Sequence, residues 1–284
     1  MQTIRDLASL RAAVFSLRAG GGRIALVPTM GALHEGHMTL VRAARARADH
    51  VVASVFVNPR QFGANEDLAA YPRQEAQDAA LLEAEGTAIL WAPGVAEMYP
   101  AGFATNISVG GISEGLCGAA RPGHFDGVAT VVTKLFNQVR PDIALFGEKD
   151  YQQLAVIRRF TADLDQQVEI VGVPTARADD GLALSSRNAY LSADERARAA
   201  ELPRAMRQGV ARLEAGEDVE TVLAGIRQAL TQAGFGPIDY VELCDALSLE
   251  PVRRLAGQAR LLVAARLGKT RLIDNFAVDP GPQL

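Results

Sequence analysis

Short apolar runs alternate with amphipathic segments through the first part of the chain. The runs are rich in Val, Ile, Leu and Ala, which is typical of strands buried on both faces. Strands are predicted at 23–28, 51–57, 88–92, 143–146 and 168–173, and helices at 3–19, 36–48, 75–85, 127–139 and 151–162. This alternation predicts an α/β fold, in which helices cover both faces of a parallel sheet.

The pattern changes after about residue 175. Ser192 and Glu195 have the spacing of a capping box, which predicts the start of a helix. The elements predicted from there are helices at 192–215 and 219–233 and strands at 238–243, 260–267 and 270–278. We therefore expect two domains: a parallel-sheet domain at 1–175, and a smaller α+β domain at 176–284 that closes over the active site.

Two histidines, His34 and His37, lie in the turn that follows the strand at 23–28 and begins the next helix. Free backbone N–H groups and the positive end of the helix dipole favour an anion at such a place. A histidine can add a hydrogen bond or a proton. Ligands of parallel sheets also bind at the carboxyl ends of strands. We interpret the turn as a site for nucleotide phosphate.

Two other interpretations of the histidine pair remain. A zinc site would need further ligands, and the chain has only four histidines and two cysteines, so zinc is disfavoured. The second alternative is a pair of surface histidines at a helix start, without any ligand.

Two later segments place cations where phosphate oxygens could lie. Lys149 and Asp150 follow the strand at 143–146, so the lysine could neutralise phosphate and the carboxylate could accept from ribose hydroxyls. Ser185–Arg187 lies in a polar loop, and two hydroxyls beside a guanidinium suit triphosphate oxygens. A solvated turn and a plain linker are the alternatives.

Two isolated polar residues are weaker candidates. Gln61, just after the strand at 51–57, could hydrogen-bond a small polar substrate. Asp78, in the helix predicted at 75–85, could help to hold Mg²⁺. The alternatives are an ordinary turn and a solvated helix face.

Composition excludes several classes of protein. The chain has 284 residues, of which 49% are hydrophobic, so it can form a substantial core. Its net charge of −4 argues against nonspecific binding of nucleic acid. Apolar runs are too short for a membrane span, and the N-terminus lacks a signal-peptide pattern. Two cysteines form no disulfide framework, so we expect a cytoplasmic protein.

Several familiar motifs fail. Gly268–Thr270 ends like a phosphate loop, but the preceding glycine of that motif is replaced by Val263. No G-x-G-x-x-G follows a strand, and the two serines lie in no G-x-S-x-G elbow. We therefore expect the chemistry to come from bound ATP rather than from a covalent nucleophile.

Taken in order, six segments resemble those of the pantothenate synthetase family. They are Pro28–His37, Phe56–Pro59, Gln61–Gly63, Tyr71–Arg73, Gly147–Gln153 and Ser185–Asn188. The resemblance extends from about residue 20 to Asn275. It implies membership of the cytidylyltransferase-like superfamily, with a Rossmann-like sheet and a His-x-Gly-His signature shared with class I aminoacyl-tRNA synthetases.

The resemblance also implies a reaction. (R)-Pantoate and ATP would give an enzyme-bound pantoyl adenylate and pyrophosphate, and β-alanine would then displace AMP to form pantothenate. Mg²⁺ would bridge the ATP phosphates. The family is commonly homodimeric, and no nucleic acid or membrane takes part.

Roles follow by resemblance at the matching positions. His37 would be the proton donor, and the charge on the α-phosphate and the departing pyrophosphate would be stabilised by Lys149, Ser185, Ser186 and Arg187. Asp150 and Gly147 would hold the ribose. The implied ATP-binding set is Met30, Gly31, Ala32, Leu33, His34, Glu35, Gly36, His37, Gly147, Glu148, Lys149, Asp150, Ala176, Leu184, Ser185, Ser186 and Arg187, with Gln61 and Gln153 for pantoate and, at Gln61, β-alanine.

Two positions depart from the family pattern. Leu184 and Arg60 stand where methionine is common. Leucine keeps an apolar contact to adenine, whereas Arg60 either changes the pantoate pocket or points to solvent.

Three other functions remain as alternatives. A nucleotidyltransferase acting on a phosphate acceptor would share the histidine motif but would not need β-alanine. A noncatalytic ATP-binding regulator would bind nucleotide without turnover. A tRNA-charging enzyme is disfavoured, because the chain is short and slightly acidic.

Overall fold

The computed structural model describes residues 1–63 and 66–280, which form two compact units. Unit 1 comprises Met1–Ser113, Arg121–Glu148 and Gln153–Pro174, as far as they are described. Unit 2 comprises Glu114–Ala120, Lys149–Gln152 and the described residues from Thr175 onward. Two short segments that precede residue 175 therefore belong to unit 2.

A six-stranded parallel sheet forms the centre of unit 1. Its strands are β1 (Gln2–Ile4), β2 (Ile24–Thr29), β3 (His50–Val55), β4 (Ile89–Trp91), β5 (Ile143–Gly147) and β6 (Glu169–Val173), and their order is β1-β4-β3-β2-β5-β6. Chain progression reverses between β2 and β5. The turn after β2 therefore begins at the point where sheets of this kind bind ligands.

Seven helices precede residue 165 in the described part of the chain. They are α1 (Leu7–Arg18), α2 (Glu35–Arg45), α3 (Glu75–Ala84), α4 (Val95–Met98), α5 (Cys117–Ala120), α6 (His124–Val139) and α7 (Tyr151–Asp163). The core of unit 1 includes the buried face of α2, with Met38, Val41 and Ala44, packed with sheet residues such as Val27 and Leu145.

Two predicted helices differ from the structure. The helix predicted at 3–19 begins only at Leu7, because the Asp6 carboxylate accepts from the backbone N–H of Ser9 and caps the helix there. Residues 2–4 form β1, which is too short for a periodic signal. The helix predicted at 192–215 is interrupted at Ala200. Pro203 explains the break, since it has no N–H to donate to the preceding turn.

Unit 2 contains a three-stranded antiparallel sheet. Its elements are the helices α8 (Ala193–Ala199), α9 (Glu201–Glu214) and α10 (Val219–Gln232) and the strands β7 (Phe235–Asp245), β8 (Ala259–Leu267) and β9 (Thr270–Val278). One hydrophobic cluster joins the helices to the sheet and includes Met206, Ile226 and Val263. The fold is thus the predicted combination of a parallel sheet and a smaller α+β region. Among the described residues, no helix has both the length and the apolar character needed to cross a membrane.

Candidate active site

The two histidines cap the start of α2 with their own side chains. His34 is the N-cap, and its Nδ1 accepts from the backbone N–H of Gly36 at 3.1 Å. The Nδ1 of His37 accepts from the backbone N–H of His34 at 3.2 Å. The ring centroids are 4.1 Å apart. The pair therefore forms a capping box in which imidazoles replace the usual serine and glutamate.

These caps decide which nitrogen of each ring carries the proton. A ring nitrogen that accepts a hydrogen bond needs its lone pair, so the proton of the neutral imidazole lies on the other nitrogen. In His34 and His37 the accepting atom is Nδ1, which leaves Nε2–H as the donor. Each ring thus carries its N–H on Nε2.

Several backbone N–H groups of the turn are already used within the protein. The N–H of Gly31 donates to Thr29 Oγ1 at 3.2 Å. The N–H groups of Ala32 and Leu33 donate to the two carboxylate oxygens of Asp78 at 2.9 and 2.8 Å. These three backbone N–H groups of the turn therefore already have acceptors within the protein.

Glu35, at the first position of α2, is exposed and forms an ion pair with Arg42. The hydrogen bond from Arg42 lowers the pKa of the Glu35 carboxyl. Arg42 also pairs with Glu85. Glu35 and Glu85 thus share one cation, Arg42, in exposed ion pairs.

Asp78 is buried, with 1% of its surface exposed. Each of its oxygens accepts from one backbone N–H group, so the carboxylate is bound to the protein backbone on both oxygens. Within residues 1–63 and 66–280, no group of three or more His, Cys, Asp or Glu side chains is arranged to hold a metal ion.

Gln61 is buried next to a second polar residue, Asn58. Asn58 Nδ2 donates to the carbonyl of Gly127 at 3.0 Å, and Asn58 Oδ1 accepts from the N–H of Arg60 at 3.3 Å. A carbonyl can only accept and a backbone N–H can only donate, so the orientation of the Asn58 amide is determined. Asn58 Nδ2 also donates to Gln61 Oε1 at 3.1 Å.

The orientation of Gln61 follows from that of Asn58. Since Gln61 Oε1 accepts from Asn58, the Gln61 NH₂ is the group left to act as donor, and it lies 3.0 Å from Met30 Sδ. The Tyr99 hydroxyl supports the arrangement by donating to Asn58 Oδ1 at 2.8 Å. Burial raises the pKa of Tyr99 to about 12, so this hydroxyl keeps its proton at neutral pH.

The backbone carbonyl of Gln61 is contacted by two further side chains. His124 Nδ1 lies 2.8 Å from the Gln61 carbonyl oxygen, and Arg121 Nη2 donates to the same oxygen at 3.3 Å. Arg121 is itself paired with Glu66 at 2.6 Å. Asn58 is a local neighbour of Gln61, whereas Tyr99, Arg121 and His124 were not predicted, because only tertiary contacts bring them to Asn58 and Gln61.

Arg60 lies at the surface of unit 1 rather than in a buried pocket. Its guanidinium carbon is 5.5 Å from the Tyr99 ring centroid and 5.3 Å from that of Phe103. Its Nη2 donates to Asn106 Oδ1 at 3.1 Å. These contacts direct the cation along an aromatic surface.

Lys149 and Asp150 lie in a one-turn 3₁₀ segment directly after β5, and both belong to unit 2. Lys149 Nζ is 3.7 Å from Asp150 Oδ1. The side chain of Asn275 donates to the Lys149 carbonyl at 2.9 Å and so holds the backbone of this turn. Gly147 ends β5 and Glu148 follows it in unit 1, and Gln153 lies in the first turn of α7.

The serine segment of unit 2 is a second short 3₁₀ turn, at Ser186–Tyr190. Ser185 Oγ accepts from the N–H of Arg187 at 3.3 Å, and Asn188 Nδ2 donates to the Ala183 carbonyl at 3.0 Å. The N–H of Leu184 donates to the Ala176 carbonyl at 2.9 Å. The structure thus brings together Ala176 and Leu184, two members of the ATP-binding set that the resemblance implies.

Comparison with known proteins gives one consistent result. Residues 2–277 match the family described as pantoate-beta-alanine ligase. The chain is 66% identical over 282 residues to the pantothenate synthetase of Rhizorhabdus wittichii, covering 99% of this chain and 100% of the relative. It is also 66% identical over 285 residues to that of Novosphingobium aromaticivorans, with the same coverage.

Two solved structures are similar over their full length. The pantothenate synthetase of Thermus thermophilus has a TM-score of 0.93 at 48% identity and covers 99% of this chain and 100% of its own. The pantoate-beta-alanine ligase of Francisella tularensis, solved with beta-gamma ATP and beta-alanine, has a TM-score of 0.83 at 33% identity and covers both chains fully.

Proposed function

This chain belongs to the pantoate–β-alanine ligase family, and we propose that its paired histidines activate ATP toward the carboxylate of pantoate. The protein is an ATP-dependent ligase that condenses pantoate with β-alanine. A pantoate carboxylate oxygen attacks the α-phosphorus, and the bond to pyrophosphate breaks. The amine of β-alanine then attacks the acyl carbon of the pantoyl adenylate, and AMP leaves as pantothenate forms.

The observation that carries the role of the histidines is their double capping arrangement. With Nδ1 of His34 and His37 bound to backbone N–H groups, both rings have Nε2–H as their donor. Negative charge builds up on the oxygen that leaves with pyrophosphate, and fixed donors at that oxygen lower the barrier. We assign His37 to this oxygen and His34 to a neighbouring phosphate oxygen. The positive end of the α2 dipole adds to the effect.

Residues of unit 2 serve the same reaction in this proposal. Lys149 and Arg187 supply positive charge for the phosphates, and the hydroxyls of Ser185 and Ser186 donate hydrogen bonds. Asp150, with Gly147, accepts from the ribose hydroxyls. The support is the match of these residues to the family segments, together with the hydrogen bond that joins Leu184 to Ala176.

Gln61 recognises pantoate as a hydrogen-bond donor. Its carbonyl oxygen is occupied by Asn58, so its NH₂ is the group that can reach a carboxylate or hydroxyl oxygen of the substrate. The Gln61 NH₂ donates to Met30 Sδ, which is a weak acceptor. An oxygen of the substrate would accept a stronger hydrogen bond in its place. We assign Gln153 to the same substrate from its position in the family segment.

Mg²⁺ would be held mainly by the ATP phosphates, and it would neutralise part of their charge. Asp78 supports this assignment, since it is buried and each carboxylate oxygen already accepts from a backbone N–H group. The family resemblance also supports a homodimer in the cytoplasm. Light scattering after size-exclusion chromatography would test the dimer.

The test of the function separates its two half-reactions. Enzyme, ATP and Mg²⁺ are mixed with pantoate alone, and pyrophosphate is measured; β-alanine is then added, and AMP and the amide are measured. Pyrophosphate should require pantoate, and release of AMP should require β-alanine. Pantoamide, which lacks the carboxylate, is the matched control and should give no pyrophosphate.

Two results would contradict the proposal. Pyrophosphate formed at the same rate without pantoate would indicate another acceptor. A stable nucleotidyl product that ignores β-alanine would indicate a nucleotidyltransferase.

A further inference from the structure

We propose that Asp78 is a positioning residue, which holds the turn Met30–His34 in the one conformation that aims both histidines at ATP. This inference rests on the proposed role of the two histidines. It replaces the magnesium-ligand role expected for Asp78 with a mechanical one that acts through the backbone.

We call Asp78 a brace because each of its two carboxylate oxygens accepts from a backbone N–H group of the turn. Its Oδ2 accepts from the N–H of Ala32 at 2.9 Å, and its Oδ1 accepts from the N–H of Leu33 at 2.8 Å. One carboxylate thus holds two successive peptide groups that lie 46 and 45 positions away in sequence. Bonds from a backbone N–H to a carboxylate are among the stronger hydrogen bonds in proteins. Asp78 also lies in the first turn of α3, where the helix dipole favours a negative charge.

The turn needs such a brace because its backbone is in an unfavourable region. Gly31 has φ of +80° and Ala32 has φ of +51°. A left-handed conformation is easy for glycine but costly for alanine, whose Cβ meets the following carbonyl. Such conformations persist only where the surroundings impose them. The two N–H groups that Asp78 holds belong to Ala32 itself and to the next residue.

Gly31 adapts the turn to this carboxylate. A Cβ at Gly31 would lie only 2.9 Å from Asp78 Oδ2. The missing side chain therefore lets the carboxylate approach the backbone closely enough to bind both N–H groups. Leu33, the second residue held, directly precedes His34. A shift of this peptide would move the N-cap, and with it both Nδ1 contacts that orient the rings.

The experiment compares D78N with E75Q. The amide introduced by D78N has nearly the same size as the carboxylate, but its NH₂ must face one of the two backbone N–H groups and repels it. Glu75 lies in the same first turn of α3, is exposed and pairs with Arg5, so E75Q removes a carboxylate without touching the turn. For each variant, kcat of pantoate-dependent ATP–pyrophosphate exchange is measured together with KM for pantoate, the Mg²⁺ concentration for half-maximal rate, and Tm.

We expect kcat of D78N to fall roughly 10- to 100-fold, as for catalytic groups displaced by about 1 Å. KM for pantoate and the Mg²⁺ requirement should stay within about twofold, since neither involves the brace. E75Q should behave as the unsubstituted enzyme. Restoration of the D78N rate by excess Mg²⁺ would overturn the proposal in favour of a metal ligand. A lower Tm with unchanged kcat would overturn it in favour of a purely structural role.

A second measurement uses the unsubstituted enzyme and does not depend on the variant folding. The N–H protons of Ala32 and Leu33 should exchange with solvent slowly, because the buried carboxylate protects them. Exchange at the rate of an unstructured peptide would overturn the brace. If the unsubstituted enzyme itself lacked pantoate-dependent exchange, the proposed function would fail, while the hydrogen-exchange result would still test the brace.

Discussion

The histidine turn of unit 1 and the serine segment of unit 2 are both short turns with polar side chains, but they are held in different ways. The histidine turn is bound by a buried carboxylate from position 78. In the serine segment, the hydrogen bonds at Ser185 and Asn188 join residues two and five positions apart. The first conformation depends on a distant partner, and the second is specified to a larger extent by its own sequence.

Under the proposed roles, this difference predicts two kinds of catalytic contribution. A turn with left-handed residues and a buried brace holds its donors at one place, which suits groups that must meet charge developing in a transition state. A segment that is capped locally and partly exposed should change its conformation less when one hydrogen bond is removed. Substitutions around the histidine turn should therefore affect kcat most, and those in the serine segment should affect KM for ATP more mildly.

The largest effect is expected at His37. In H37N, the amide oxygen can still accept from the His34 N–H, but the donor at Nε2 is lost. We expect kcat of pyrophosphate exchange to fall about 10²–10³-fold, as for other donors to a developing anion. H37Q places an NH₂ near the former Nε2 and should lose less. If H37N and H37Q were equally impaired, the cap rather than the Nε2 donor would be the essential part.

Gln61 should come next, because it also depends on a buried network in unit 1. Q61E replaces the NH₂ by a carboxylate oxygen that would repel pantoate. A lost hydrogen bond to a charged group costs about 1.5–3 kcal/mol, so KM for pantoate should rise roughly 10- to 100-fold. Steady-state kinetics at saturating ATP measure it.

A substitution at Tyr99 should have a smaller effect on KM for pantoate than Q61E, because Tyr99 acts on Gln61 only through Asn58. Y99F removes one neutral hydrogen bond to Asn58, worth about 1 kcal/mol, and should raise KM for pantoate about fivefold. An unchanged KM in Y99F would show that the N–H of Arg60 and the carbonyl of Gly127 suffice to orient Asn58.

A substitution at Ser185 tests the serine segment of unit 2. S185A removes the hydroxyl that accepts from the N–H of Arg187 and that is proposed to donate to an ATP phosphate. A hydrogen bond of this kind is worth about 1 kcal/mol, so KM for ATP should rise about fivefold. S185T keeps the hydroxyl and should be close to the unsubstituted enzyme. A loss of kcat in S185A as large as that in D78N would contradict the contrast between the two turns.

The smallest effect is expected at Arg60. R60M removes an exposed cation from the rings of Tyr99 and Phe103, a contact worth about 0.5–1 kcal/mol. KM for pantoate should change by less than about twofold. A larger change would mean that the cation acts on the substrate rather than on the aromatic surface.

Strands β2 to β6 were predictable because each lies in a mostly apolar run. β1 was not, since its three residues, Gln2–Ile4, include only one apolar side chain. The histidine turn was predicted as a phosphate site because it lies after a strand and before an amphipathic helix. The solvated helix face considered for Asp78 is wrong, because the structure buries this side chain and its carboxylate accepts from the N–H groups of Ala32 and Leu33.

The sequence by itself determined the alternation of strands and helices, the position of the histidine turn at a strand end, and the family. These depend on local periodicity and on contiguous motifs, which a chain displays without being folded. Only the tertiary structure decided that the Asn58 amide donates to the Gly127 carbonyl, and that Asp78 accepts from the N–H groups of Ala32 and Leu33. The direction of a hydrogen bond depends on which partner faces it, and in these contacts the partners lie far apart in sequence.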